Sequence, residues 1–367
     1  MSLSVAVCKE TAQDERRVAL VPAEAGRLMK AGHTVKVESG AGAAAHFADA
    51  AYAAAGATIA ASAKDLLAGA DVVLKVQAPT VAEVGMLKEG SLLISFLQPA
   101  RDAAVIAALK ARNVSALSMD LVPRTSKAQV MDALSSQATV VGYQAVLLGT
   151  QHMPKFLPML TTAAGTIPPA TVFIIGVGVA GLQAIATARR LGANVRAFDI
   201  RPAVKDEVQS LGATFVAAEL LSHAAEGAGG YAKEVTEETR KAEERALAKH
   251  VSESDLVITA AMVPGRKAPV LVTEEMVKAM KPGSVIIDLA AETGGNCAVS
   301  KAGETVTMNE VRIVGPVNLP STMPTHASQM YSKNVSSVLQ YMVKDGALVL
   351  NNEDDIVKSM RVSGGAA

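Results

Sequence analysis

Tryptophan is absent from the 367 residues, and aromatic side chains together make up only 3%. So sparse a set cannot build the stacking platforms that read single-stranded nucleic acid. A surplus of charge is missing too: Lys plus Arg and Asp plus Glu are each 35, for a formal net charge of zero. That argues against nucleic acid as a partner, since its binders carry a basic excess. Only two cysteines are present, Cys8 and Cys297. They form neither a CxxC pair nor a metal-ligand spacing, so no metal is expected and a reducing, cytosolic setting fits. The opening MSLSVAVCKE lacks the basic start and long apolar core of a signal peptide. An uncharged run at 171–188 holds three glycines, Gln183 and two threonines, and ends at Arg189 and Arg190. It is too broken to be a membrane span, which needs about 20 apolar residues.

What is present is apolar material in quantity. Half of the residues are hydrophobic, enough for two cores, and the length predicts two domains. The organising stretch is 171–199, TVFIIGVGVAGLQAIATARRLGANVRAFD. Residues 172–175 are β-branched or aromatic, as in a buried parallel strand. Gly176, Gly178 and Gly181 follow with G-x-G-x-x-G spacing. The first glycine allows a tight turn, the second lets backbone approach a pyrophosphate, and the third lets the helix lie close to the strand. A helix over 180–191 would aim its N-terminal N–H groups at that phosphate. A second strand, 194–198, ends at Asp199, about twenty residues beyond the glycines, where a ribose-binding carboxylate belongs. Such an acid repels a 2′-phosphate, which favours NAD(H) over NADP(H).

Before this stretch, residues 1–120 alternate short apolar strands (4–7, 34–38, 57–60, 71–76, 91–97, 114–119) with helical segments such as 23–30, 63–67 and 103–111. The βαβα order predicts a parallel sheet covered on both faces, without a glycine fingerprint of its own. A long helix is expected over 127–148, and Pro158, Pro168 and Pro169 predict a plain loop over 156–170. Later strands are expected at 213–216, 256–259, 285–289 and 311–314, then a helix at 327–343 and a fraying tail, VSGGAA. The fold class is therefore α/β: two Rossmann-like domains with parallel sheets, linked by long helices around a cleft. The first domain is expected to comprise 1–134 and 320–367, and the NAD(H)-binding domain 135–319. Between 217 and 238 the pattern dissolves around GAGGYAKE, which reads as a mobile flap carrying Tyr231. The charged run 234–249 reads as a solvated helix face.

Six motifs stand in order around the glycine turn: KETAQDERRVALVP (9–22), KVQAP (75–79), PRTSKAQVMDALSSQATVVGYQAV (123–146), GGYAKE (229–234), VPGRKAPVLVTEEMV (263–277) and GSVIIDLAAETGGN (283–296). With them the chain resembles, over nearly its whole length, the NAD(H)-binding component (domain I, or α1 subunit) of proton-translocating NAD(P) transhydrogenases. That family shares its fold with alanine dehydrogenase. The resemblance implies an oxidoreductase component active only with partner subunits. Hydride would pass directly between NADH on this chain and NADP on a partner, coupled to proton translocation. It implies a homodimer, bound through NADP(H)-binding and membrane subunits at the cytoplasmic face of the inner membrane. It places Arg124, Gln129, Asp132 and Ser135 at the nicotinamide and pyrophosphate, with Arg124, Gln129 and Asp132 closest to the chemistry. Gly176, Gly178, Val179, Ala180 and Gly181 would line the pyrophosphate turn. Asp199, Ile200 and Arg201 would meet the ribose, and Tyr231 would close near the nucleotide. With one fingerprint, this chain is expected to hold NAD(H) alone.

The alternative is an alanine dehydrogenase-like oxidoreductase acting on a 2-oxo acid or amino acid. That enzyme binds pyruvate with an Arg and a Lys, which Arg17 and Lys75 match. At the position of its acid–base His this chain has Gln98, and at the position of its Asp it has Glu292. An amide has no usable pKa near neutrality and cannot shuttle the proton that interconversion of amine and carbonyl demands. Arg17 and Lys75 are expected to pair with carboxylates instead. The six histidines stand outside these motifs and read as surface or capping residues.

Overall fold

A computed structural model describes residues 2–216, 237–262 and 266–364. Two compact units divide it: Met1–Gln137 with Pro320–Ala367, and Ala138–Leu319. The division falls inside the helix Ala133–His152, after Gln137.

Unit 1 is built on a seven-stranded sheet ordered Arg361–Ser363, Ser115–Ser118, Leu92–Ser95, Val72–Leu74, Ser4–Val7, Thr34–Glu38, Thr58–Ala60. All neighbours run parallel except Arg361–Ser363, which pairs antiparallel with Ser115–Ser118. Parallel neighbours need crossovers, and helices such as Pro22–Lys30 and Ala103–Ala111 supply them. Both faces of the sheet are therefore covered, which is why its central strands are apolar at nearly every position. Val5, Val7, Val72, Leu74 and Ile94 pack on one face with Tyr331, Val335 and Val338 of the helix Pro324–Met342. Ala6, Val73 and Leu93 pack on the other with Leu66, Val84 and Leu109. The direction of winding reverses between Ser4–Val7 and Val72–Leu74, so the loops at their C-terminal ends form a crevice of the kind that holds ligands in such sheets.

Unit 2 repeats the plan, with strands ordered Thr214–Phe215, Asn194–Phe198, Thr171–Ile175, Leu256–Thr259, Val285–Asp288, Val311–Val314, Thr305–Met308. Only the last pair is antiparallel. Its switch point lies between Thr171–Ile175 and Leu256–Thr259, and the glycine turn follows the first of these strands. Among the described residues no helix is long and apolar enough to cross a membrane.

Four local expectations are corrected. The helix expected over 127–148 is two elements: 3-10 turns over Ser126–Met131, then a helix over Ala133–His152. Asp132 separates them because its carboxylate accepts from the Ser135 N–H (2.8 Å) and hydroxyl (2.6 Å), an N-cap that starts the helix afresh. The stretch 156–170 is not a plain loop: Leu160–Thr162 and Gly165–Ile167 form an antiparallel hairpin, with Gly165 at φ +118°. The tail does not fray at Val362 and Ser363, which belong to the strand Arg361–Ser363 and cover the sheet edge. His33 is buried rather than superficial.

Candidate nucleotide site

The three glycines of unit 2 have three different reasons. Gly176 sits at φ +95°, where an L side chain is strained, and a Cβ there would lie 2.7 Å from Ala261 N. At Gly181 a Cβ would run into the Gly176 carbonyl oxygen, so the helix Val179–Arg190 could not seat against the turn. At Gly178, which begins that helix, a Cβ would meet nothing within 4 Å. Packing requires the first and third glycines, whereas the second faces open space at a helix N-terminus, as an anion site needs. Ala180 and Gly181 are buried beneath the turn, and Val179 is 41% exposed beside it.

Asp199 ends the neighbouring strand and joins this turn: its Oδ2 accepts from Val177 N–H at 2.8 Å. The carboxylate is already occupied by Arg201. Arg201 donates from Nε to Oδ1 at 2.9 Å and from Nη2 to Oδ2 at 3.0 Å, and its backbone N–H reaches Oδ1 at 2.9 Å. Nη2 also reaches the Val177 carbonyl at 3.1 Å. Burial alone would raise the Asp199 carboxyl, but the hydrogen bonds from Arg201 and Val177 outweigh it and hold it below its ordinary value. Ile200 between them is 45% exposed.

A second pair of residues, missed in the sequence, fixes the other wall of the switch point. Asp288 is fully buried at the end of its strand and accepts from Thr259 Oγ1 (2.9 Å), Ala290 N–H (3.1 Å), Asn296 N–H (3.2 Å) and Cys297 N–H (3.0 Å). Asn296, fully buried too, accepts from Ala261 N–H (3.0 Å) and donates to the carbonyls of Ala261 and Pro269 (both 2.8 Å). This clamp holds the loop against which Gly176 turns. Its signal in the sequence was the DLAAETGGN run, whose Asp and Asn flank the glycine pair Gly294–Gly295 at φ +106° and +79°.

In unit 1 the segment that carries Arg124, Gln129, Asp132 and, in the first turn of the following helix, Ser135 is anchored by two buried side chains, Ala128 and Met131. Between them Gln129 is exposed, as is Arg124 earlier in the loop. Asp132 and Ser135 face each other as cap and first turn rather than standing out from the surface.

The crevice of unit 1 is filled by paired charges. Arg17, 4% exposed, meets Glu15 through Nε (2.8 Å) and Nη2 (2.7 Å), and its Nη1 donates to Gln137 Oε1 at 2.8 Å. Burial would raise the Glu15 carboxyl, yet Arg17 overcomes it and brings it down to about 2. Lys75, 2% exposed, lies 3.1 Å from Glu83 and 3.5 Å from Glu10. Burial would lower the Lys75 ammonium, but these carboxylates outweigh it and raise it. The Glu10 carboxyl moves up, because burial dominates there. Gln98 is exposed beyond the strand Leu92–Ser95, its backbone N–H on Asp102. Glu292 is exposed, and its Oε2 accepts from Asn318 N–H at 3.3 Å. Tyr231, the flap and residues 263–265 of the VPGRK motif lie outside the described residues.

Twin parallel sheets of this order, one carrying the glycine turn with an acid beside it, define the class: α/β proteins of the Rossmann dinucleotide type. Family models agree, that for the alanine dehydrogenase/PNT N-terminal domain matching residues 6–141 and that for the C-terminal domain matching 145–366. The chain belongs to the alanine dehydrogenase/PNT family. It is 47% identical over 369 residues to an NAD(P) transhydrogenase subunit alpha chain of Rhodospirillum rubrum, covering 98% of this chain and 96% of that one. It is 32% identical to alanine dehydrogenase of Mycobacterium tuberculosis, over 88% of this chain and 82% of that one. Among solved structures, a transhydrogenase from Sinorhizobium meliloti superposes with a TM-score of 0.91 at 42% identity, covering 99% of both chains. An L-alanine dehydrogenase superposes with a TM-score of 0.82 at 28% identity, covering 98% of this chain and 94% of that one.

Proposed function

We propose that this chain is the NAD(H)-holding component of a proton-translocating transhydrogenase, passing hydride directly to or from NADP(H) on a partner subunit. The observation that carries the reading is the near full-length likeness to the transhydrogenase subunit alpha chain of Rhodospirillum rubrum. The geometry supports it where the two activities of the family would part. Arg17 and Lys75, the cations a 2-oxo acid would need, are each held by buried carboxylates. Gln98 supplies no proton. The alanine dehydrogenase reading is therefore not favoured.

Bound NAD(H) would supply the hydride. The residues of this chain bind and orient it. The helix N-terminus at Gly178, Val179 and Ala180 takes the pyrophosphate. Asp199 receives the ribose hydroxyls once Arg201, whose side chain is 44% exposed, swings off the carboxylate. Gln129, with Arg124, Asp132 and Ser135 behind it, orients the nicotinamide through one donor and one acceptor. Hydride leaves one ring and enters another with no proton moved at either, so no acid or base is needed. Proximity and orientation supply the rate. The reading carries a homodimer, attached to the cytoplasmic face of the membrane through NADP(H)-binding and membrane subunits; Phe156, Met159 and Ile167 of unit 2 are exposed apolar side chains that association could cover.

The test is Gln129→Asn. Shortening the side chain by one methylene withdraws the amide by about an ångström, and a shift of that size can cost about 10²-fold in rate. Hydride transfer in the assembled complex should fall steeply while NADH binding, read by its fluorescence, stays within about twofold. Equal transfer rates would sink the assignment.

A further inference from the structure

Gln129 stands on a segment that the far end of the chain holds in place. The 3-10 turns over Ser126–Met131 break at Asp132, whose φ −68° and ψ 88° are not helical. A helical end leaves carbonyls without intrahelical partners. The Val130 carbonyl, next to Gln129, finds its donor 204 residues away, in Asn334 Nδ2 at 2.9 Å. Asn334 Oδ1 in turn accepts from the Ser136 hydroxyl at 2.6 Å, in the first turn of the helix that Asp132 caps. One carboxamide, 7% exposed, thus ties the backbone just after Gln129 to the helix just beyond Ser135.

The mount is rigid. Asn334 sits on the helix Pro324–Met342, where Tyr331, Val335 and Val338 are fully buried in the core of unit 1. Three points of this helix touch the segment 127–137, which runs from the 3-10 turns into the first turns of the helix Ala133–His152. The Ala327 carbonyl accepts from Gln137 Nε2 at 3.1 Å, Asn334 makes the clamp, and the Tyr341 ring lies 4.9 Å from Lys127 Nζ. Positions 327, 334 and 341 are seven apart, about two turns each, so they share one face of the helix. Their partners at 137, 130 and 136, and 127 follow in reverse order. The segment 127–137 is laid along that face, and Asn334 is the central tie.

We propose that Asn334 is a positioning residue for hydride transfer, fixing the turn from which Gln129 presents its amide. This rests on the reading that Gln129 orients the nicotinamide. The variant is Asn334→Asp, which keeps size and the acceptor for Ser136 but removes the donor to Val130. In the complex with an NADP-loaded partner subunit, kcat should fall about tenfold or more with KM for NADH within about twofold. Amide exchange over 127–132 should accelerate. Added to Gln129→Asn, Asn334→Asp should cost nothing further, because residues that act through one another are not additive. Should Asn334→Asp fail to fold, Ser136→Ala leaves the bond to Val130 in place, removes the hydroxyl end of the clamp together with that hydroxyl's longer bond to the Ala133 carbonyl (3.1 Å), and should slow transfer by a few fold. An unchanged kcat in whichever of the two folds, or full additivity with Gln129→Asn, would overturn the proposal. A Gln129→Asn variant with wild-type transfer would instead sink the reading on which it rests.

Discussion

Replacing Glu15 with Gln asks whether the crevice of unit 1 is truly neutralised from within. Gln is a permanent stand-in for the protonated acid, so the cost of the change at neutral pH is the cost of protonating Glu15 in the folded protein. The carboxyl is drawn from its ordinary 4.5 to about 2 by the Arg17 guanidinium, which overcomes a burial that works in the opposite direction. About 2.5 pH units at about 1.4 kcal/mol each come to about 3 kcal/mol. Because the folded value is the lower one, this stability is present above pH 4.5 and is lost as pH falls from there through 2. Glu15→Gln should therefore be less stable by about 3 kcal/mol at pH 7, and by only about 2 kcal/mol at pH 3.5. Urea denaturation at the two pH values, with hydrogen exchange in the strands Ser4–Val7 and Val72–Leu74, reads unit 1 itself. A gap below about 1 kcal/mol at pH 7, or one that does not narrow at pH 3.5, would refute the argument that Arg17 is spent on Glu15.

Gly178→Ala should fold with an unchanged Tm and bind NADH about tenfold more weakly or worse, since its Cβ enters only the open space proposed for the pyrophosphate, whereas Gly181→Ala should lower Tm by several degrees through its clash with Gly176. Fluorescence titration and thermal melts of the pair would separate the two roles. Asp199→Asn should weaken NADH binding and, by releasing the Arg201 guanidinium, bring the Kd for NADPH closer to that for NADH; a widened preference for NADH would contradict it.

The strands were legible because β-branched runs separated by glycine turns have few other ways to bury themselves, and the glycine turn because its spacing is itself a steric requirement. Less local features were not. Asp132 reads as a polar residue in a helical pattern, yet its bond to Ser135 splits the helix in two. The edge strand Arg361–Ser363 is short and pairs with residues some 250 positions earlier, so its own composition says little. Asn296 and Asn334 matter through bonds to backbone atoms that no periodicity marks. Arg201 stood beside Asp199 in plain sight, but its bidentate hold on that carboxylate depends on how the chain turns after the strand. The pairing of Arg17 and Lys75 with carboxylates was expected because Gln98 and Glu292 leave the two cations as remnants of a pyruvate site; that the pairs are buried only the fold shows.

On the function proposed, NADH bound here gives its hydride to another nucleotide rather than to an oxo acid. Purified chain saturated with NADH, as judged by fluorescence, is offered pyruvate and ammonium, and then an NADP-loaded partner subunit. NADH should be stable in the first case and rapidly oxidised in the second. Rapid loss of NADH with pyruvate and ammonium alone would contradict the function proposed and make this chain a free-standing amino-acid dehydrogenase.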